Sequence, residues 1–287
     1  MRIKDLFKED KTVFSLEVFP PKRNNPIETI YRTLDELKDL DADFISVTYG
    51  ASGSLADNST CEIASAIKHE YGIVSAAHLT CVNSTRDEVR TVLERLKEND
   101  IDNILALRGD IVPEVAPKDD FHHASELITF IKEEGYDFGI SGACYPEGHV
   151  DSENAMDDIL NLKKKVNAGA EHLISQLFFD NTYFFDFLEK VRIAGINVPV
   201  EAGIMPVVNK KQIERMVSLC GASLPPKFTK MMAKYENRPE ALRDAGIAYA
   251  VDQIVDLVSE GVQGIHLYTM NNPYIAKRIN DGIKNLF

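Results

Sequence analysis

Glu17 is the first residue whose setting calls for an explanation. It is a carboxyl group inside the apolar, β-rich run Val13–Pro20, directly before the rigid Pro20-Pro21 stop. An acid placed among apolar neighbours is costly unless it is paired or used. Other apolar runs also end on polar residues: Thr48 in Val47-Thr48-Tyr49-Gly50, His78 in Ala77-His78-Leu79-Thr80-Cys81, and Arg108 and Asp110 in Leu107-Arg108-Gly109-Asp110. Later runs end on Tyr145 to His149, on Gln176 to Asp180, and on Tyr268 to Asn271. Carboxyl and imidazole groups move protons, and a guanidinium binds phosphate or carboxylate. Taken singly, most have a bland reading. Thr48 and Tyr268 would be core or ladder residues, and His78 a satisfied core histidine. Arg108 and Asp110, two apart on one strand phase, are either a structural ion pair or part of a site. Glu17 has no evident structural partner. Several such ends on one rim favour a polar site, but the residue types name no reaction.

The elements that must position these residues follow from periodicity. Strands are expected at Val13–Pro20, Phe44–Gly50, Val74–Cys81, Asn103–Asp110, Phe138–Pro146, His172–Asp180, Pro199–Val207 and Gly264–Asn271. Between them, Ile27–Leu40, Thr60–Tyr71, Arg86–Glu98, His122–Glu134, Asn154–Val166, Tyr183–Ala194 and Lys211–Leu219 carry apolar residues at helical spacing. Ser84-Thr85-Arg86-Asp87-Glu88 offers capping side chains, and Pro273 suits the first turn of a last helix. Strands such as Phe44-Ile45-Ser46-Val47 are apolar on both phases, as strands of a covered parallel sheet are. Asn209–Gln263 is about twice the usual interval, with Pro225-Pro226 and Arg238-Pro239 and then the periodic stretch Ala241–Val258. Extra helices before the eighth strand are expected there. The fold class read from this is α/β, a single (β/α)8 TIM barrel over residues 1–287, with its site at the C-terminal strand ends. An open doubly wound sheet is the alternative, though no Gly-x-Gly-x-x-Gly or P-loop supports it.

Composition narrows the partners. A net charge of −13 argues against broad binding to nucleic acid or acidic membranes, so an anionic ligand needs a local basic pocket. The first residues lack an apolar signal segment and no run reaches membrane-spanning length, so a cytoplasmic location is expected. Cys61, Cys81, Cys144 and Cys220 show no CxxC spacing, which suits buried free thiols and gives no reason to expect zinc or another metal.

The same strand ends carry a family resemblance. Leu16-Glu17-Val18-Phe19-Pro20-Pro21-Lys22, Ser46-Val47-Thr48-Tyr49-Gly50, His78-Leu79-Thr80-Cys81 and Leu107-Arg108-Gly109-Asp110 together resemble methylenetetrahydrofolate reductase. So do Tyr145-Pro146-Glu147-Gly148-His149, the segment Leu162–Ala170, Gln176-Leu177-Phe178-Phe179-Asp180 and His266-Leu267-Tyr268-Thr269-Met270-Asn271. The ordered set spans the chain, and its length is similar to that of bacterial, catalytic-barrel-only members. The resemblance implies FAD across the rim, contacted by Thr48, His78, Leu107, Arg108, Gly109, Asp110, Ala143, Tyr145, His149, Asp158, Asn161, Lys164 and Lys165. It implies a ping-pong relay of hydride from NADH or NADPH through the flavin to 5,10-methylenetetrahydrofolate, giving 5-methyltetrahydrofolate. Glu17 matches the general acid that protonates folate N10, and it should hold its proton through burial and nearby negative charge. Asp110 would stabilise the cationic iminium and tune the flavin, while Gln176 and Tyr268 would join Glu17 and Asp110 in contacting the folate. Family members commonly self-associate, and some take electrons from a partner subunit. Two residues depart from the pattern: Asn272, where an arginine is frequent, and Lys210, where some members carry an apolar residue.

Overall fold

The structure is a computed structural model that describes residues 1–22, 25–49, 58–111 and 117–287. The side chains of Lys210, Lys211, Gln212, Arg215 and Leu219 lie outside that description, as does Gly50 of the second strand-end motif. Eight parallel strands close a barrel in chain order: β1 (Val13–Val18), β2 (Phe44–Val47), β3 (Val74–Thr80), β4 (Asn103–Leu107), β5 (Gly139–Cys144), β6 (His172–Ser175), β7 (Val200–Ile204) and β8 (Gly264–Tyr268). The first and last strands pair directly, with Ser15 opposite His266 and Glu17 opposite Tyr268. The open-sheet alternative is excluded by that closure.

Helices α1 (Glu28–Leu37), α2 (Ser59–His69), α3 (Arg86–Glu98), α4 (Ala124–Glu133), α5 (Ala155–Ala168) and α6 (Asn181–Ile193) alternate with the strands. Their starts follow local chemistry. Thr85 and Glu88 form a reciprocal capping box on α3, Asn154 caps α5 through the N–H groups of Met156 and Asp157, and Asp180 caps α6. Three helices fill the long interval before β8: α7 (Lys210–Cys220), α8 (Pro226–Tyr235) and α9 (Pro239–Ser259). They bury a satellite apolar cluster beneath them, in which Phe179 stacks on Phe228 at 4.6 Å. A last helix, α10 (Pro273–Ile283), packs on α9 and α1.

The main core lies between the strands and the outer helices, where Ile45, Leu79, Ile104 and Leu267 meet Leu34, Ile67, Leu93 and Ile279. Inside the barrel a smaller apolar layer of Val13, Phe44, Ala76, Leu105 and Ile174 is closed from the N-terminal side by a short 3-10 turn, Ile3–Leu6. Asn103 fastens that plug: its Oδ1 accepts the Ile3 N–H at 3.0 Å and its Nδ2 donates to the Met1 carbonyl at 3.0 Å. With one end stoppered, access to the barrel interior is left to the C-terminal rim.

Several strands end sooner than the apolar runs suggest. After Leu107 the chain turns at Gly109, whose φ of 87° suits glycine and not a bulky residue. After Ser175, the apolar Leu177, Phe178 and Phe179 are buried as loop residues and not as strand.

Candidate active site

The acid centre is built by three strands. Glu17 on β1 lies with its Oε2 3.6 Å from His78 Nε2 on β3 and 3.6 Å from His266 Nε2 on β8. Both imidazoles are buried, whereas Glu17 keeps 19% of its side-chain surface open at the rim. Burial, partly offset by the charge of Glu17 and reinforced by His266, lowers the His78 imidazole to about 4. His78 is therefore neutral near pH 7, and its Nε2 has no hydrogen-bond partner. A buried polar atom left open beside an acid marks a place for chemistry more than for scaffolding.

Tyr268 closes one side of this centre. Its hydroxyl donates to the Ser175 carbonyl at 2.7 Å, and burial followed by the Glu17 carboxyl pushes the phenol well above its usual range. The ring can lie there because position 203 is glycine: a Cβ would sit 2.2 Å from the Ser175 carbonyl oxygen and 2.7 Å from the Tyr268 hydroxyl. Gln176 follows β6 directly, and its Oε1 accepts from the Leu177 N–H at 2.9 Å. Asn271, just past β8, clasps the end of β1, accepting from the Phe19 N–H at 3.0 Å and donating to the Phe19 carbonyl at 2.7 Å.

A second group lies on the β4–β5 side. Arg108 is half-buried and pairs with Asp151 at 2.9 Å, so the ion pair with Asp110 that strand spacing allowed is not the one formed. Asp110 is exposed; its charge acts on Tyr145 and on Cys220. Burial, with Cys144 and Asp158 adding to it, pushes Tyr145 up to about 12. Its ring meets His149 edge-on at 4.6 Å, and His149 is lowered by burial and then by Arg108. Thr48 follows β2, where its carbonyl accepts from Thr60 Oγ1 at 2.9 Å, while Leu107 and Ala143 sit half-open on β4 and β5.

The third group is on α5. Asp158 is buried and accepts from Ser152 Oγ at 3.0 Å, and exposed Lys164 donates to Asn161 Oδ1 at 3.0 Å. Lys165 turns inward, donating to the Ala143 carbonyl at 2.5 Å, with burial lowering its ammonium. A cleft of about 340 Å³ opens beside this group, bordered by Tyr145, Asp158, Ile159, Tyr183 and Lys190. Half-open polar strand ends, with Arg108, Lys164 and Lys165 to one side, suit a dinucleotide with a pyrophosphate. Of the two departures, Asn272 caps α10, its Oδ1 accepting from the Ile275 N–H at 3.3 Å. The side chain of Lys210 lies outside the described residues.

Sequence reasoning passed over the polar residues below Glu17: Ser15, His266, Glu201 and His172, all fully buried. The signal was available for Glu201, a second acid inside an apolar strand, between Val200 and Ala202. All four cysteines are free thiols, three of them buried and Cys220 partly so.

Fold and rim together define a β/α-barrel enzyme with an acid–imidazole centre at the C-terminal strand ends. A family model for methylenetetrahydrofolate reductase matches residues 2–284. The 5,10-methylenetetrahydrofolate reductase of Escherichia coli (strain K12) is 38% identical over 92% of this chain and 88% of its own length. That of Pectobacterium carotovorum is 37% identical over the same shares. Methylenetetrahydrofolate reductase (NADH) 1 of Arabidopsis thaliana is 35% identical over 94% of this chain, which spans 48% of the plant protein. Among solved structures, an uncharacterised protein from Clostridium thermocellum that binds two copies of 5-methyl-5,6,7,8-tetrahydrofolic acid has a TM-score of 0.64. At 17% identity, with 94% of this chain and 96% of that one covered, it shows the shared barrel fold. The chain belongs to the methylenetetrahydrofolate reductase family and is an oxidoreductase with that family's activity. Among the described residues, no helix is long and apolar enough to cross a membrane.

Proposed function

We propose that the protein reduces 5,10-methylenetetrahydrofolate to 5-methyltetrahydrofolate at the C-terminal rim, with Glu17 as general acid and with FAD relaying electrons from NADH or NADPH in a ping-pong cycle. The observation that carries this is Glu17 itself, a partly open acid between two buried imidazoles at 3.6 Å. The activity for which the relatives are named supports the substrate, and the NADH in the plant relative's name supports a nicotinamide donor.

Bound FAD would supply acceptance and donation of hydride. Thr48, His78, Leu107, Arg108, Gly109, Asp110, Ala143, Tyr145 and His149 would hold it on the strand ends, with Asp158, Asn161, Lys164 and Lys165 reaching from α5. Glu17 gives its proton to folate N10 as the bond from the bridging carbon to N10 breaks, and the bonding pair stays on that nitrogen. The bridging carbon is left as an iminium on N5, ready for hydride. Asp110 offsets that positive charge electrostatically. Gln176, its oxygen occupied by Leu177, presents its amide N–H groups to the folate. Neutral His78 adds no positive charge beside Glu17.

Two measurements test this. The purified protein, alone or after reconstitution with FAD, should show oxidised-flavin absorbance bands; failure to take up FAD would overturn the cofactor assignment. In Glu17→Gln, flavin reduction by NADH or NADPH should persist while folate reduction falls by about 10²–10⁴-fold. Equal loss of both half-reactions would remove Glu17 from the acid's role.

A further inference from the structure

Below Glu17 the barrel interior holds a continuous polar chain that the reaction as described does not use. His266 Nδ1 lies 2.6 Å from Ser15 Oγ, and the Ser15 hydroxyl donates to Glu201 Oε1 at 2.9 Å. Glu201 Oε2 is 3.1 Å from His172 Nε2, an ion-pair distance but out of line for a hydrogen bond. His172 Nδ1 in turn lies 2.9 Å from Ser141 Oγ. The chain thus crosses the barrel from β1 and β8 to β7, β6 and β5, and Ser15, Glu201, His172 and His266 are at most 1% exposed. Barrel interiors are normally filled by branched apolar side chains, so a carboxyl, two imidazoles and two hydroxyls need a reason.

Counting hydrogens supplies one. A serine hydroxyl has a single hydrogen, and Ser15 gives it to Glu201. Toward His266 it can therefore only accept, so His266 Nδ1 must carry the ring hydrogen. In the neutral ring Nε2 is then a bare acceptor, and Nε2 is the atom that faces Glu17 Oε2. An acceptor in that place favours the carboxyl that carries a proton, which is the form a general acid needs. The opposite tautomer would present an N–H to Glu17 and favour the carboxylate. Phe44, stacked on His266 with centroids 6.1 Å apart, helps hold the ring plane.

We infer that Glu201, acting through Ser15, is a positioning residue that fixes the His266 tautomer and thereby keeps Glu17 protonated for folate reduction. The groups facing Glu17 are His78 from β3, His266 and Tyr268 from β8, with Ser46 opposite it on β2. Those facing Glu201 are Ser15 from β1 and His172 from β6, with Gly264 beside it on β8. No proton travels along the chain; it sets which nitrogen is protonated. The inference rests on reading Glu17 as the acid.

The test uses the FAD-loaded protein. Folate reduction needs the acid form of Glu17, so its pH profile should carry an alkaline limb. Ser15→Ala and Glu201→Val should move that alkaline limb down by about one pH unit, cutting the rate near pH 7 by roughly tenfold while the acidic plateau recovers. Glu201→Gln keeps an oxygen for the Ser15 hydroxyl and should keep the wild-type profile. Flavin reduction by the nicotinamide should be unchanged in all three. Independently of activity, ¹⁵N spectra of labelled histidine should show His266 protonated at Nδ1 in the wild type and redistributed in Ser15→Ala. A wild-type His266 protonated at Nε2, or superimposable pH profiles for wild type and Ser15→Ala, would overturn the inference. If Glu17→Gln leaves folate reduction intact, the acid's assignment fails instead, whatever the histidine spectra show.

Discussion

The two ends of the barrel both set polar side chains among apolar ones, and they use them differently. At the N-terminal end most of the bonds close, Ser75 Oγ and Glu171 Oε2 being exceptions. Asn103 accepts from Ile3 and donates to the carbonyls of Met1 and Ser75, Arg2 pairs with Glu171 and Asp137, and the Met1 amine pairs with Asp102. At the C-terminal end they stay open: His78 Nε2 has no hydrogen-bond partner, and Thr48, Arg108 and Gln176 are half-exposed. A buried polar group with complete bonds is scaffold; one left incomplete beside a partly open acid at the rim is placed to meet a ligand. Polarity in a strand is therefore a weak guide to function until its hydrogen bonds are counted.

Three further outcomes would sharpen or break that contrast. The largest concerns the closed end. Asn103→Ala strips three hydrogen bonds and strands the buried Ile3 N–H, so it should cost about 3–4 kcal/mol in denaturant unfolding with turnover per folded molecule unchanged. A matching fall in kcat would mean the two ends are not separable. Next is the open end. The unfolded His78 side chain takes up a proton below about pH 6.5, whereas the folded one refuses it until about 4. Stability should therefore fall as pH drops through that window, by on the order of 2–3 kcal/mol, and His78→Gln should flatten the slope. An unchanged slope in the variant would show that His78 is not the group being titrated. The smallest effect lies just outside the rim. Asn272→Ala removes a helix cap and should lower stability by about 1 kcal/mol while leaving the folate KM unchanged; a raised KM would place Asn272 in the substrate site.

The barrel was readable from the sequence because each strand is apolar on both faces and each helix on one, so two periods alternate along the chain. Strand ends were less readable. Leu177, Phe178 and Phe179 look like a continuation of β6, since burial alone draws apolar residues into a loop, Leu177 and Phe179 under α8 and α9 and Phe178 against Phe184 of α6. Within the site, Glu17 and His78 stood out as polar residues in apolar runs. Glu201 carried the same signal and went unread, because an acid deep in β7 gains meaning only when register brings Ser15 and His172 beside it. Asp151 as the partner of Arg108 was out of reach for another reason. The pair joins two different loops, and strand spacing is silent about loops.

The clasp between Asn271 and Phe19 joins residues 252 positions apart. During synthesis, the strand that bears Glu17 leaves the ribosome long before the strand that bears His266. Barrel closure and the acid centre are therefore one event, since the pairing of β1 with β8 that seals the cylinder also brings the imidazole to the carboxyl. A nascent or truncated chain without β8 has the acid but not its setting. Activity should consequently appear only once that pairing has formed, which makes turnover a reporter of barrel closure.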